Sequence, residues 1–303
     1  MPTPSEPKLR GEWTAKTNTP RRSVFGNYRA NDSGSGGHES APSNESRPAS
    51  AATNDQVTLQ TAIDLAVARS FIHRFLAKAY EDPSSENWRW LCAADTQDYL
   101  QAACKISVGG EACTFKAQEF DSFLNAYLAA FGHAARGSCP LNEIEYGDIK
   151  ADPLFQPHRL ADLAAFYRAF GLEVAEDAGE RHDHICLELE FMCVLAAKEA
   201  YALEHQLDAA QLVQCRDAQK KFLREHLGRW TPAFTRRLVA GTSEPNLRAL
   251  SQFTQAFIEA ECARFGVNPG SEDLLLRPVD ETADRLCDSC GIRDLPPGAL
   301  AAT

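Results

Sequence analysis

Apolar side chains recur along this chain at intervals of three, four and seven residues, the spacing that lines one face of a helix. Leu65, Ala68, Ile72, Phe75, Leu76 and Ala79 form one such stripe, and Phe120, Leu124, Tyr127, Leu128 and Phe131 form another. A third runs through Leu250, Phe253, Phe257, Ile258 and Phe265. The segment from Asp208 to Leu227 is helical in composition and is expected to stop at Gly228. No stretch shows convincing strand-like alternation, and no internal repeat is present. The pattern predicts an all-α fold, a single helical bundle domain.

One segment departs from the amphipathic pattern. Between Ile185 and Tyr201 the apolar residues point in nearly every direction, with Ile185, Leu189 and Met192 to one side and Leu187, Phe191 and Val194 to the other. A helix apolar all round is a buried central helix, wrapped by its neighbours. The acids it carries then need an explanation, because a buried carboxylate without a partner is costly. Between the helices, residues 137–157 hold Pro140, Gly147, Pro153 and Pro157, a long irregular loop of the kind that often carries function.

The ends of the chain read differently. Residues 1–55 are rich in Ser, Pro, Asn, Gly and Thr, including Asn31-Asp32-Ser33-Gly34-Ser35-Gly36-Gly37, and are expected to form a disordered leader. The helical domain is expected over residues 56–268, and residues 269–303 form a polar tail with Cys287-Asp288-Ser289-Cys290. Within the leader, Thr19-Pro20-Arg21-Arg22-Ser23-Val24-Phe25 resembles a twin-arginine export box, but no apolar stretch follows it, so the match is read as accidental. With no apolar run of about 18 residues or more, a cytoplasmic protein without membrane insertion is expected.

Charge narrows the partners. The net charge is −11, and it is concentrated after residue 54, where 24 basic residues face 37 acidic ones. An acidic body repels phosphate backbones, which argues against a nucleic-acid partner. The ten cysteines are too irregularly spaced for a disulfide framework. Cys186, Cys193, Cys215 and Cys262 fall inside apolar helical patterns and are expected to be reduced, buried small hydrophobes.

The stretch Arg181-His182-Asp183-His184-Ile185-Cys186-Leu187-Glu188-Leu189-Glu190-Phe191-Met192-Cys193 concentrates candidate chemistry. His184 and Glu188 are four apart and share a helical face, whereas Glu190 points away, so the cluster does not converge on one ion from this helix alone. His182-Asp183 permits an alternative, an HD-type metal-dependent phosphohydrolase, with His133 or His158 upstream and Asp208 or Asp217 downstream as further ligands. The Cys287/Cys290 pair has the spacing of half a zinc ribbon or of a redox pair, but no second Cys-x-x-Cys accompanies it. A phosphate-cradling glycine loop and a Gly-x-Ser-x-Gly elbow are both missing. The bland reading of the stretch makes Asp183 the N-cap of the central helix, with His184 in its first turn.

Two segments together carry a resemblance. His182-Asp183-His184 followed by Glu188-Leu189-Glu190-Phe191-Met192 resembles the Asp-His and Glu-Leu-x-Phe-Met signature of the TorD-like chaperones that mature molybdenum enzymes. Cys139-Pro140-Leu141-Asn142-Glu143-Ile144-Glu145-Tyr146-Gly147 is similar to that family's Pro-Pro-Tyr-Glu loop ending in Tyr-Gly. A weaker likeness is Phe222 to Trp230, similar to the family's late helix reaching a turn before another helix. Leu141 and Asn142 depart from the family's proline and aromatic, and Arg181 stands where some members have an aromatic.

The resemblance spans residues from about Gln56 to Phe265. It implies a cytoplasmic, non-enzymatic protein, without cofactor or metal of its own. Such a protein binds the apo catalytic subunit of a molybdopterin oxidoreductase of the dimethyl sulfoxide reductase type, often near its twin-arginine leader peptide, for cofactor insertion before export. The loop and the Asp-His turn would lie side by side as the binding surface. The expected contacts are Pro140, Glu143, Glu145, Tyr146, Asp183, His184, Glu188, Phe191 and Met192. Glu143, Glu145, Asp183 and Glu188 would meet the leader's arginines. Tyr146, Phe191 and Met192 would receive its apolar stretch.

Overall fold

The computed structural model of the chain describes residues 49–132, 137–147, 155–175 and 179–278, the side chains of 49–55 and 155–156 excepted. The Arg21-Arg22 box, His133, the Cys287/Cys290 pair and most of the expected leader lie outside the described residues. Among those residues the fold is all-α, as the periodicity predicts. The helices are α1 (Ala49–Tyr80), α2 (Ser85–Leu91), α3 (Ala94–Ser107), α4 (Phe120–Phe131), α5 (Phe155–Ala169), α6 (Ile185–Glu204), α7 (Ala209–Glu225), α8 (Leu227–Gly241) and α9 (Pro245–Arg264). Two isolated antiparallel bridges, Asn142 with His184 and Tyr146 with Leu276, lie beside them.

Helix α6 is the predicted central helix. Ile185, Leu187, Leu189, Phe191, Met192 and Leu195 are all fully buried, because α1 lies along it and α7 and α8 cover other sides. Where α1, α6, α7 and α9 meet, the core is polar. Arg69 of α1 donates from Nε to Glu261 at 2.8 Å and from Nη1 to Glu199 at 2.9 Å, while Gln219 donates to Glu199 at 2.9 Å. A buried guanidinium shared between two carboxylates links four helices and satisfies the charges that burial would otherwise penalise. Of the four cysteines assigned to apolar helices, Cys186, Cys215 and Cys262 are buried and Cys193 is half-buried, all as free thiols. Burial pushes the thiols up, Cys193 to about 11 and Cys262 to about 12, which disfavours the nucleophilic thiolate.

The expectation that Gly228 stops a helix is corrected. The chain breaks at His226, and Gly228 lies inside α8. A Cβ on Gly228 would stand 2.5 Å from the Leu223 carbonyl and 2.8 Å from Cys262 Sγ, so this glycine permits a close approach rather than ending a helix. Four residues on, Pro232 has no N–H to give the Gly228 carbonyl. That carbonyl instead accepts the backbone N–H of Gly270 at 2.9 Å, which fastens the segment after α9 onto α8.

Candidate functional site

Residues 137–147 do form an irregular loop, with a single 3-10 turn at Glu143–Glu145. Both of its edges are paired through backbone. On one side Glu143 N–H donates to the Asp183 carbonyl and Ile185 N–H to the Leu141 carbonyl, each at 2.9 Å. On the other, Gly147 N–H donates to the Leu275 carbonyl at 3.1 Å and Arg277 N–H to the Glu145 carbonyl at 2.9 Å. The loop is thus held between the start of α6 and the segment after α9.

Asp183 does not cap α6. The N-cap is His184, whose Nδ1 accepts the N–H of Cys186 at 3.3 Å, and whose imidazole is pushed down to about 4 by burial and by the charge of Arg181. The neutral ring this produces is the form able to accept. Asp183 turns toward the loop instead. It accepts the N–H of Ile144 at 3.1 Å and the amide of Asn142 at 3.2 Å, while Arg181 grips both its oxygens at 2.9 and 3.1 Å. The loop offers a buried amide that would otherwise be unpaired, so the carboxylate is recruited there rather than to the helix dipole.

Glu143 is the second anchor. It accepts from Arg159 of α5, from Arg229 of α8 at 3.2 Å, and from His226 Nδ1 at 2.9 Å. Burial alone would raise its carboxyl, but the hydrogen bond and charge of His226, with the charges of Arg159 and Arg229, outweigh this and hold it below the usual range. His226 also reaches Asp162 from Nε2 at 3.2 Å. Glu188 is the opposite case. Burial and then the charge of Glu143 push its carboxyl well above the usual carboxylate range, which favours the protonated form. Its Oε2 accepts from Trp230 Nε1 at 3.1 Å, and its Oε1 has no hydrogen-bond partner.

The expected residues therefore come together in part. Pro140, Glu143, Glu145, Tyr146, Asp183 and His184 are contiguous, with Tyr146 packed on Trp230 at 5.1 Å and its hydroxyl donating to the Pro140 carbonyl at 2.8 Å. Most of them are buried, and the carboxylates of Glu143 and Asp183 are already occupied by this chain's own arginines, so a client's arginines would have to displace these. Phe191 and Met192 are corrected to core positions. Phe191 packs among Tyr167, Phe222 and Phe166, and Met192 is fully buried, because an all-apolar helix at the centre of a bundle has no free face. The part facing outward is Glu145, with its side chain 20% exposed, His184, and the unexpected Arg181, 46% exposed. Next to it a cleft of about 370 Å³ opens between Ala164, Tyr167, Leu172, Val174 and His182.

Sequence reasoning missed Arg159, His226, Arg229 and Trp230. Their signal was available in the central acids, since each buried carboxylate demands a donor from another element. Among the described residues the HD-type alternative finds no matching donor set. Arg181 fills the Asp183 carboxylate, His182 stacks on Tyr167, and Asp208 caps α7. No group of three or more His, Cys, Asp or Glu suited to a metal ion occurs among the described residues.

Residues 95–236 match the family described as nitrate reductase delta subunit. The chain is 26% identical over 217 residues to the perchlorate reductase assembly chaperone protein of Dechloromonas aromatica, covering 68% of this chain and 93% of that relative. It is 36% identical over 143 residues to the selenate reductase assembly chaperone protein of Thauera selenatis, covering 46% and 68%. It is also 29% identical over 119 residues to the chaperone protein TorD of Vibrio cholerae, covering 39% and 52%. These relatives carry the names of assembly chaperones or of a chaperone. The chain belongs to the TorD-like family of these chaperones.

Proposed function

We propose that this protein is the dedicated assembly chaperone of one molybdopterin oxidoreductase of the dimethyl sulfoxide reductase type. It binds the apo catalytic subunit in the cytoplasm, performs no bond-making, and holds the subunit for cofactor insertion before export. The names of the relatives support the chaperone role, since three of them are assembly chaperones of perchlorate, selenate and chlorate reductases. No described helix is long and apolar enough to cross a membrane.

The observation that carries the site is the double lock of the loop, by Asp183 onto the start of α6 and by Glu143 onto α5 and α8. Rigid loops on a packed scaffold are where recognition concentrates. In this reading Pro140, Glu143, Tyr146, Asp183 and Glu188 shape the surface from beneath. Glu145 and His184 meet the client, and Glu145 offers a carboxylate to a leader arginine.

The test is capture from the native cytoplasm with the tagged full chain, followed by titration with a twin-arginine leader peptide. Recovery of one oxidoreductase catalytic subunit is expected, with weaker peptide binding by Glu145→Ala. Capture that never retains such a subunit would remove the reading.

A further inference from the structure

After a turn at residues 272–273, residues 274–278 cross the outer edge of the loop as a short strap. We propose that this strap holds the place of a client peptide. On this view the backbone edge Glu145–Gly147 docks an extended segment of the client's leader, and Leu274 to Arg277 covers that edge until the client arrives. The inference rests on the reading of the loop as the client surface, and adds the mode of binding and the segment that competes for it.

Three observations carry it. First, the edge is paired with the strap as one strand pairs with another: Tyr146 stands opposite Leu276 in an antiparallel bridge, flanked by Gly147 N–H to the Leu275 carbonyl at 3.1 Å and Arg277 N–H to the Glu145 carbonyl at 2.9 Å. Main-chain pairing of this kind accepts any extended peptide, and pockets for alternate side chains select among them. Second, the strap's side chains alternate as such pairing requires. Leu274 and Leu276 pack against the core while Leu275 between them is 59% exposed, the period-two reading of a strand. The occupant this fits is an extended apolar run adjoining arginine, the chemistry that Leu274-Leu275-Leu276-Arg277 carries in the opposite chain order. Glu145, paired with the exposed Arg181 at 3.6 Å, lies at that edge to receive a client arginine.

Third, the strap is anchored firmly at its root and lightly beyond it. Gly270 is fixed by its bond to the Gly228 carbonyl, and a Cβ there would stand 1.9 Å from the Arg229 carbonyl oxygen. Just past this root, Arg236 pairs with Asp273 at 2.5 Å and Glu272 at 3.8 Å and Gln255 donates to Glu272 at 3.3 Å, exposed contacts of a class that contributes little to stability. The strap can therefore peel from the loop while α8 stays in place.

The experiment uses the full chain and a synthetic peptide of two adjacent arginines followed by a leucine-rich run. Hydrogen exchange is followed at two amides. On saturation the Arg277 amide, donated by the strap, should lose protection, while the Gly147 amide, donated by the loop, should keep it. Leu276→Asp, which loosens the strap, should bind the peptide about ten-fold tighter by removing the fraction of closed molecules. Arg236→Ala should shift affinity the same way by a smaller factor, and carries the test if Leu276→Asp does not fold. Peptide binding with both amides unchanged and equal affinities would overturn the strap inference while leaving the leader reading intact. Absence of peptide binding to wild type and both variants would overturn the leader reading and this inference with it.

Discussion

The carboxylate of Asp183 accepts the backbone N–H of Ile144 at 3.1 Å, across 39 positions of sequence. This one bond converts an irregular loop into part of the start of α6. The same side chain also holds Asn142, and its backbone carbonyl accepts Glu143 N–H, so loop and helix are joined at three consecutive loop residues.

Replacing Asp183 by alanine should therefore loosen the loop specifically. The buried Ile144 amide would lose its acceptor, a loss worth about 2 kcal/mol. Arg181 is half exposed, so its pairing with Asp183 adds little. Denaturant titration should show the loss, and hydrogen exchange should speed up at Ile144 well before the helices open. Asp183→Asn, which keeps an acceptor for the amide, should recover most of the stability.

The Arg69 cluster gives a stronger effect. Arg69→Met would leave Glu261 and Glu199 buried without their shared cation, at a cost of about 3–5 kcal/mol. The double variant Arg69→Met with Glu261→Gln should be more stable than Arg69→Met alone, because the uncompensated charge is gone. Thermal melts of wild type, both single variants and the double variant measure this non-additivity directly.

The carboxylates set opposite pH dependences. Glu143, Glu199 and Glu261 are buried, which alone would raise them, but their cationic partners hold all three below the ordinary carboxylate value of about 4.5. Their stabilisation is fully present above that value and is lost as pH falls through the lower folded values. Glu188 runs the other way. Its raised folded value means that it costs nothing while protonated in both states and costs more as pH climbs above about 4.5. Glu188→Gln should thus match wild type near pH 4 and gain up to about 1.4 kcal/mol per pH unit above it until the folded value is reached. Urea midpoints measured across pH test both signs; a variant with the wild-type profile would mean that Glu188 ionises normally.

Much of the architecture is legible in the periodicity. The all-round apolar character of Ile185 to Tyr201 places α6 at the centre, and the stripes on α1 and α9 face it or its neighbours, whereas on α4 the expected Leu128 is exposed and Phe123 is buried instead. What periodicity cannot reveal is which donor answers each buried acid. Asp183 has the composition of a helix cap, and only the fold shows that the Ile144 amide competes for it. Likewise Phe191 and Met192 have the chemistry of a peptide-binding face, yet a helix wrapped on all sides offers none. The neighbours of Glu143 come from α5 and α8 as well as the turn at His226, too far apart in sequence for any local pattern to join them.

Gly228 shows how a residue that looks like punctuation can instead be a packing requirement. Its backbone passes so close to the end of α7 and to α9 that an alanine Cβ would meet the Leu223 carbonyl at 2.5 Å and Cys262 Sγ at 2.8 Å. Neither contact is tolerable without movement, and the carbonyl belongs to helical backbone that gives little. Gly228→Ala should therefore destabilise by about 1–3 kcal/mol despite the better helix propensity of alanine. Adding Cys262→Ala removes the sulfur but not the carbonyl, so calorimetry on the double variant should show only partial relief. If α7 and α8 were separated by a glycine stop, as composition suggests, alanine at this position would merely trade one helix-ending residue for another and leave Cys262 uncoupled from it. A measured coupling between positions 228 and 262 decides between the two descriptions.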